Sequence, residues 1–420
     1  MQIAEPIFPL SPAAFKAALA SGHGRAMIHA RRHGLDGLKD LILEATCFSA
    51  VYDTQCNGYA APWVAELCRI AGVVDEFIAR EPERVDLSLR SALLKEFVME
   101  GHVNALPALY ASCRFVQGDG NFAGLCEIID IEGERGFLFA ARKMGEHLLA
   151  HSDWWVDEEI VDRFDSQAGP GCGMALLEEG CRQDPALAAF YWGLQKHRKR
   201  RPSVDKPRPH PSVSEMIERI HLGGEKIFDA DDWGKDASPE EREQVAGMDF
   251  RRLPVLGLWN YLHYFSGIGL PMLEDAHLEL LRHPDEGVRD MMVQVLSHHA
   301  DERVRQEALR ALGEGELYRA LELFHESVRP EDMAAILEAL DSPQVRGDID
   351  FRHSVSLELI RLLEGPAPDL DVALWVYEHS PCMICRQGAV KVMSGMPDFP
   401  EWVARECRQD ASGDIRKAVG

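Results

Sequence analysis

Two cysteines in the sequence Cys382-Met-Ile-Cys385, directly after Pro381, have the spacing of a metal-binding or redox pair. Thiols at the start of a helix can have lowered pKa values, because the helix N-terminus favours the thiolate. A thioredoxin-like role would need a strand–helix–strand setting, which this region lacks. A zinc site needs about four ligands, and His379, one helical turn earlier, with Cys407, in the next predicted helix, would complete it. The alternative is core packing, since buried cysteine behaves as a small apolar side chain.

Histidine pairs form a second group of candidate ligands. His29 with His33, and His147 with His151, are spaced by one helical turn and could share a helix face. Neither pair forms the zinc-protease motif, because Leu148 and not a glutamate follows His147. We therefore interpret them as capping or surface histidines.

Glycine-rich and aromatic segments carry weaker signals. Gly118–Gly124 and Gly169–Gly173 do not match a dinucleotide-binding fingerprint and follow no predicted strand, so we interpret them as turns. Aromatic residues cluster at Trp154-Trp155, Tyr191-Trp192 and Trp259–Phe265. Adjacent residues of a helix point to different faces, so we expect most rings in the core and some exposed as protein-binding anchors. No Gly-x-Ser-x-Gly or Walker sequence occurs, and no catalytic residue is predicted.

Length and composition indicate a folded protein of the cytoplasm. The chain has 420 residues, more than one core usually holds, which favours two domains or an elongated repeat array. Neither a secretory signal nor an apolar run long enough to span a membrane is recognisable. The ten cysteines are dispersed, which favours free thiols in a reducing compartment.

The charge of −24 is unevenly distributed. Residues 196–211 hold seven Lys and Arg against one Asp, whereas residues 212–420 hold 22 Lys and Arg against 40 Asp and Glu, a balance of −18. Such a surface repels phosphate groups, so nucleic acid and anionic membranes are unfavourable partners. A basic protein fits better as a partner.

Helical periodicity dominates both sides of the basic segment. Leu89, Leu93 and Phe97 form one apolar stripe, and Gly34 and Gly101 fit helix C-termini, where a positive φ is needed. We predict a helical array over residues 1–195, an extended, proline-rich basic linker over 196–211 and helical repeats over 212–420. Only Cys126–Glu132 is a candidate strand, and it is short.

The C-terminal half contains a repeated motif, clearest over residues 270–420. An apolar residue followed by arginine recurs at Val288-Arg289, Val304-Arg305, Val345-Arg346, Cys385-Arg386 and Ile415-Arg416. Arg305, Arg346 and Arg386 are separated by 41 and 40 residues, the period of a helix-pair solenoid. Asp or Ser before the motif would cap the helix, the apolar residue would enter the core between repeats, and the arginine would meet acidic groups of the neighbouring repeat. Packing is therefore the preferred interpretation of Cys385.

These residues resemble HEAT repeats, including the divergent bacterial kind known as phycobilisome-lyase-type repeats. Through Tyr377–Arg386 and Pro400–Asp410 the chain is also similar to an uncharacterised family of bacterial HEAT-repeat proteins. The resemblance implies an all-α solenoid, a right-handed superhelix of antiparallel helix pairs in two segments. It implies no activity. The HEAT-repeat deoxyhypusine hydroxylases bind iron through several His-Glu dyads, and this chain has one contiguous dyad, His325-Glu326.

The sequence thus predicts a non-catalytic scaffold, without cofactor, whose acidic surface binds a protein partner. Neutralisation of a basic protein, as by an antitoxin or immunity protein, is one specific version. The alternative class is an enzyme or metal protein on the same repeats, either DNA-glycosylase-like or with zinc at Cys382 and Cys385. A glycosylase needs a cationic groove, which this charge balance disfavours.

Overall fold

The computed structural model describes residues 3–47, 52, 57–80, 86–114, 122–151, 154, 156–200 and 211–420. Across these ranges the regular structure consists of α-helices and short 3-10 turns, with no β-strand, so the predicted all-α class is confirmed. Within the same ranges, no helix has the length and apolar character needed to cross a membrane.

The helices are short and follow one another closely. The first twelve are α1 Pro12–Ala20, α2 Gly24–His33, α3 Lys39–Ala45, α4 Asn57–Ala71, α5 Val74–Ala79, α6 Leu87–Met99, α7 Ala105–Ser112, α8 Leu125–Glu132, α9 Glu134–Ala150, α10 Glu159–Ala168, α11 Cys172–Gly180 and α12 Pro185–Arg200. The next thirteen are α13 Val213–Leu222, α14 Ala230–Asp236, α15 Pro239–Ala246, α16 Val255–Phe265, α17 Asp275–Glu279, α18 Glu286–Leu296, α19 Glu302–Gly313, α20 Leu317–Phe324, α21 Met333–Ala339, α22 Pro343–Gly347, α23 Ile349–Glu364, α24 Leu370–His379 and α25 Met383–Ser394. The last two are α26 Glu401–Cys407 and α27 Gly413–Ala418, and 3-10 turns lie at Phe250–Arg252, Leu280–Arg282 and Pro330–Asp332.

Two segments differ from the sequence-based expectation. The candidate strand at Cys126–Glu132 is helical and belongs to α8, whose Ile128 and Ile129 are buried. The alternation of apolar and polar side chains in this segment is too short to favour a strand over packing with the neighbouring helices. The first five residues of the predicted extended linker, 196–200, continue α12, while residues 201–210 lie outside the described part of the chain.

The helices group into two compact units. The terminal unit comprises Glu5–Lys206 with Pro400–Gly420, and the inner unit comprises Pro207–Phe399 with Met1–Ala4. In the terminal unit α26 packs against α2, and Arg25 forms an ion pair of 2.8 Å with Glu406. The backbone N–H of Ala411 donates to the carbonyl of Gly22 at 2.9 Å. The last two helices therefore complete the unit that the first helices begin.

Each copy of the repeated motif occupies an equivalent core position. The apolar residues Val288, Val304, Val345, Cys385 and Ile415 are all buried, with at most 2% of their surface exposed. Asp285, Ser342 and Ser412 accept hydrogen bonds from the backbone N–H of the apolar residue three positions later, whereas Asp301 caps through Arg303. The first four copies lie in the inner unit and the fifth in the terminal unit.

The arginines that follow these apolar residues have different partners. Arg305 is buried and forms a bidentate pair with Asp332, at 2.6 and 2.8 Å. Arg289 donates to the backbone carbonyls of His283 and Pro284, and Arg416 to those of Asp410 and Ala411. Arg346 pairs with Asp341 at the surface. Of these four, Arg305 is the one that reaches across to an acidic group at the start of a following helix.

Replacing the fully buried Val304 by aspartate is expected to unfold the inner unit. An unpaired carboxylate in this core costs about 3–5 kcal/mol, a large part of the stability of a domain. Denaturant unfolding followed by circular dichroism checks this. Ile349→Asp introduces the same side chain at an exposed position, the first residue of α23, and should stay within about 0.5 kcal/mol of the native chain. Unchanged unfolding of Val304→Asp would contradict a core position for this residue.

Gly24→Ala is expected to loosen the contact between the first and last helices. A Cβ at this position would lie 1.8 Å from the carbonyl oxygen of Glu406, so the two backbones must separate. Overpacking of this kind costs about 1–3 kcal/mol, or more where backbone must shift. Gly313→Ala, also in a helix but with nothing within 4 Å of the added methyl, is the matched control and should be neutral or stabilising. Thermal unfolding of both variants distinguishes these outcomes.

Candidate functional site

Three potential metal ligands converge in the inner unit. The ligand atoms of His353, Cys382 and Cys385 all lie within 4.8 Å of one another. Both cysteines are buried to 2% exposure, and His353 is half-buried. Among the described residues this is the one cluster of three or more His, Cys, Asp or Glu side chains whose geometry could hold a metal ion.

The start of α25 and the face of α23 bring these donors together. Cys382 precedes the first residue of α25, and its backbone N–H donates to Ser380 Oγ at 3.3 Å, which fixes the turn. Cys385 is the third residue of α25, and α25 packs against α23, which carries His353. The packing is close because Gly388 has no side chain: a Cβ there would lie 3.0 Å from Ile360 of α23.

The other two predicted ligands lie elsewhere. The ring of His379 stacks on Trp375 at 4.9 Å, and its Nδ1 lies 3.0 Å from the Trp375 carbonyl oxygen. Cys407 is buried in α26 of the terminal unit. Sequence reasoning overlooked His353, 29 residues before Cys382. No spacing in the sequence marks His353, because it joins the cysteine pair only through the packing of α23 against α25, two helices later in the chain.

A second cluster surrounds the buried carboxylate of Glu358 in α23. His325 Nε2 lies 2.7 Å from Glu358 Oε2, and Arg361 Nη1 donates to both oxygens at 3.1 and 3.2 Å. Burial acts to raise the pKa of Glu358, but the His325 hydrogen bond and the charges of Arg361 and His325 outweigh it and lower the pKa. The contiguous dyad partner Glu326 is exposed. His325 is therefore oriented by Glu358.

Two further side chains in this cluster have strongly shifted pKa values. Burial, together with the charge of Glu358, raises the pKa of Glu322 to about 7. Burial and the charges of the same two glutamates raise the pKa of Tyr318 to about 12. A pocket of about 300 Å³ adjoins the cluster and is lined by His325, Arg361 and Ser297 among others. Ser297 donates its hydroxyl proton to the Gln294 carbonyl, so it is not aligned as a nucleophile for His325.

The clearest exposed apolar feature of the inner unit is Phe228, at 77% exposure. Its ring packs edge-to-face against Trp259 at 6.4 Å, and Lys226 Nζ lies 4.6 Å from the Trp259 ring. The ring of His263 also packs against Trp259, at 4.7 Å. We call Lys226, Phe228, Trp259 and His263 the Phe228 surface. The remaining aromatic residues of the Trp259–Phe265 segment, Tyr261, Tyr264 and Phe265, are buried in the core.

The other predicted aromatic clusters belong to the terminal unit. Tyr191 is half-buried, whereas Trp192 is 62% exposed, and their rings meet edge-to-face at 5.0 Å. Trp154 packs against His147, while Trp155 lies outside the described residues.

The predicted histidine pair of α2, His29 and His33, lies on one face of that helix. His29 accepts a hydrogen bond from the backbone N–H of Leu10.

Four arginines line a pocket of about 270 Å³ in the terminal unit: Arg31, Arg32, Arg405 and Arg408. Acidic partners already neutralise most of this charge, with Glu66 next to Arg31, Glu5 next to Arg405 and Glu401 next to Arg408. The pocket is therefore a balanced part of the contact between the first and last helices.

Comparisons of the chain with protein-family models, with curated proteins and with solved structures gave no match.

Glu322→Gln is expected to stabilise the protein at alkaline pH. Glu322 has a pKa of about 7 in the folded state against 4.5 without its surroundings, set by burial and by Glu358, His325, Asp290 and Arg361. The unfolded chain ionises first, so stability falls as pH rises from about 4.5 to 7. The variant escapes this loss, and its advantage should grow between pH 5 and pH 7 and level off near 1–2 kcal/mol, less than the full shift because the side chain is partly solvated.

Thermal unfolding across this pH range measures the effect. Glu326→Gln changes an exposed neighbour of the same cluster and is the matched control. A stability difference for Glu322→Gln that does not vary with pH would show that burial and the charge of Glu358 do not raise the pKa of Glu322.

Proposed function

We propose that this chain is a HEAT-like α-solenoid scaffold, a right-handed superhelix of helix pairs in two segments, that binds a protein partner through the Phe228 surface. The buried core position that recurs at Val304, Val345 and Cys385, with spacings of 41 and 40 residues, supports the solenoid part. So does the packing of each helix in α18–α25 on near neighbours in sequence, such as α19 on α20, α23 on α24 and α24 on α25.

The observation that carries the proposal is the fixed outward position of Phe228. Asn260, fully buried, accepts a hydrogen bond from the backbone N–H of Ile227 at 3.0 Å and donates to the carbonyl of Glu225 at 2.8 Å. His263 Nε2 lies 3.3 Å from the Phe228 carbonyl oxygen. The backbone on both sides of the ring is thus held by side chains of α16. A preorganised, solvated aromatic ring loses little entropy on binding, which is how interface hot spots gain affinity.

The charge of this half of the chain favours a basic partner. Close to Phe228 the charges are largely paired, Glu225 with Arg219 and both Asp231 and Asp232 with Lys235. The excess of negative charge belongs to residues 212–420 as a whole, which carry −18. A partner with an apolar pocket for the ring and Lys or Arg at its rim would complement both features, and phosphate-bearing nucleic acid would be repelled. Neutralisation of a basic protein is the specific version we favour.

Binding without catalysis, in the cytoplasm, completes the proposal. The ten cysteines are dispersed along the chain, which favours free thiols in a reducing compartment. The contacts of the Glu358 cluster, in which His325 and Arg361 both meet the Glu358 carboxylate, are typical of an ion-pair network that joins α20 to α23. In this proposal the partner binds without the help of a cofactor.

A photo-crosslinking phenylalanine analogue at position 228 tests the proposal in the cells that produce the protein. It keeps the ring and should give one predominant cross-linked basic protein. The same analogue at Met99, also exposed but in the terminal unit, is the matched control and should not give that product. A cross-link to nucleic acid, or the same product from both positions, would contradict the proposal.

With the partner in hand, Phe228→Ala should weaken binding about 30-fold, the cost of losing a hot-spot side chain. Met99→Ala should leave the Kd unchanged. Binding should also weaken as salt rises, because screening over about 10 Å removes attraction between exposed charges. Tight, salt-resistant binding of duplex DNA in a gel-shift series would instead support the glycosylase-like alternative.

A further inference from the structure

The cluster of His353, Cys382 and Cys385 has the composition of a transition-metal site. Two thiolates and one imidazole are ligands that select zinc over the hard cations magnesium and calcium, which take oxygen ligands. A Zn–S bond of about 2.3 Å places two sulfur ligands of a tetrahedral site about 3.8 Å apart. The ligand atoms already lie within 4.8 Å of one another, so a shift of about 1 Å or less would bring them to bonding positions.

Charge balance also favours a metal at this place. Two thiolates and a neutral imidazole carry a charge of −2, which a Zn²⁺ ion cancels. A neutral group of this kind can remain in the interior, where the two cysteines are 2% exposed, without the cost of burying a net charge. His353 is only half-buried, so an ion could approach the cluster from the side of this residue.

The chain around the cysteines is arranged to hold them in place. The turn before Cys382 is fixed in both directions by Ser380, whose Oγ accepts from the Cys382 N–H and donates to its carbonyl at 3.5 Å. The close contact between Gly388 and Ile360 fixes α25 against α23. The cysteines and the histidine therefore lie on two segments that are already packed together. A site of this kind is preorganised and needs little movement to bind.

We propose that His353, Cys382 and Cys385 bind one zinc ion, with the fourth position taken by water or by a ligand from outside these three residues. Binding converts the two thiols to thiolates and releases two protons to solvent, and no oxidation occurs. The ion joins α23 to α25 and therefore cross-links two consecutive repeats. Cys385 then has two roles, as the core residue of its repeat and as a metal ligand. The site does not depend on the partner proposed above.

Metal analysis of the purified full-length protein, prepared under reducing conditions and exposed to zinc, tests this assignment. We expect about one zinc ion per chain. Replacement by cobalt should give the near-ultraviolet thiolate-to-cobalt absorption of a cysteine-ligated site, and removal of zinc by a chelator should lower the melting temperature reversibly. These measurements use the native chain and do not depend on whether any variant folds.

Variants identify the ligands. Cys382→Ala, Cys385→Ala and His353→Ala should each reduce zinc affinity by more than the 10–100-fold that loss of an outer-sphere partner causes. His379→Ala and Cys407→Ala are the matched controls, since both residues lie outside the cluster, and they should keep the full zinc content. A native chain that binds neither zinc nor cobalt would overturn the proposal. So would equal zinc content in all five variants, or a Cys382–Cys385 disulfide in protein isolated with its thiols blocked.

Discussion

The structure depends on one constraint, that short helices, most of them between seven and sixteen residues long, cannot bury an apolar face alone. Each helix therefore has to pack against its neighbours to bury its apolar face. In the inner unit, every copy of the motif places one small or β-branched residue at the same core position. Val304 and Val345 enter the core in the first turn of their helices, three residues after the N-cap. The residue that caps the helix and the residue that packs in the core are thus only a few positions apart. A motif this short can recur along the chain.

Local features of this kind could be predicted from the sequence. The apolar stripe of Leu89, Leu93 and Phe97 is buried as expected, and Gly34 and Gly101 have the positive φ values, +74° and +90°, that their positions after helices required. Each of these properties depends on residues within about two helical turns. For the same reason, the all-α class followed from periodicity alone.

The parts that sequence reasoning missed depend on which helices are neighbours in space. His353 joins the cysteine pair because α23 lies beside α25, and Phe228 is held outward by Asn260, 32 residues later in the chain. Buried charge behaves in the same way: Arg305 meets Asp332 because the 3-10 turn at Pro330–Asp332 faces α19. Spacing within the sequence can indicate a candidate ligand or binding residue, but the packing of the helices determines which other residues lie beside it.

The contact between the first and last helices has a consequence for synthesis. Gly22 bonds to Ala411, and Arg25 pairs with Glu406, across almost the whole length of the chain. A ribosome delivers α2 long before α26, so the surface of α2 that faces α26 stays open to water while the inner unit is being translated. Chaperones that act during translation would therefore bind this exposed face of α2. A stop codon that removed residues 400–420 would leave the same face exposed permanently.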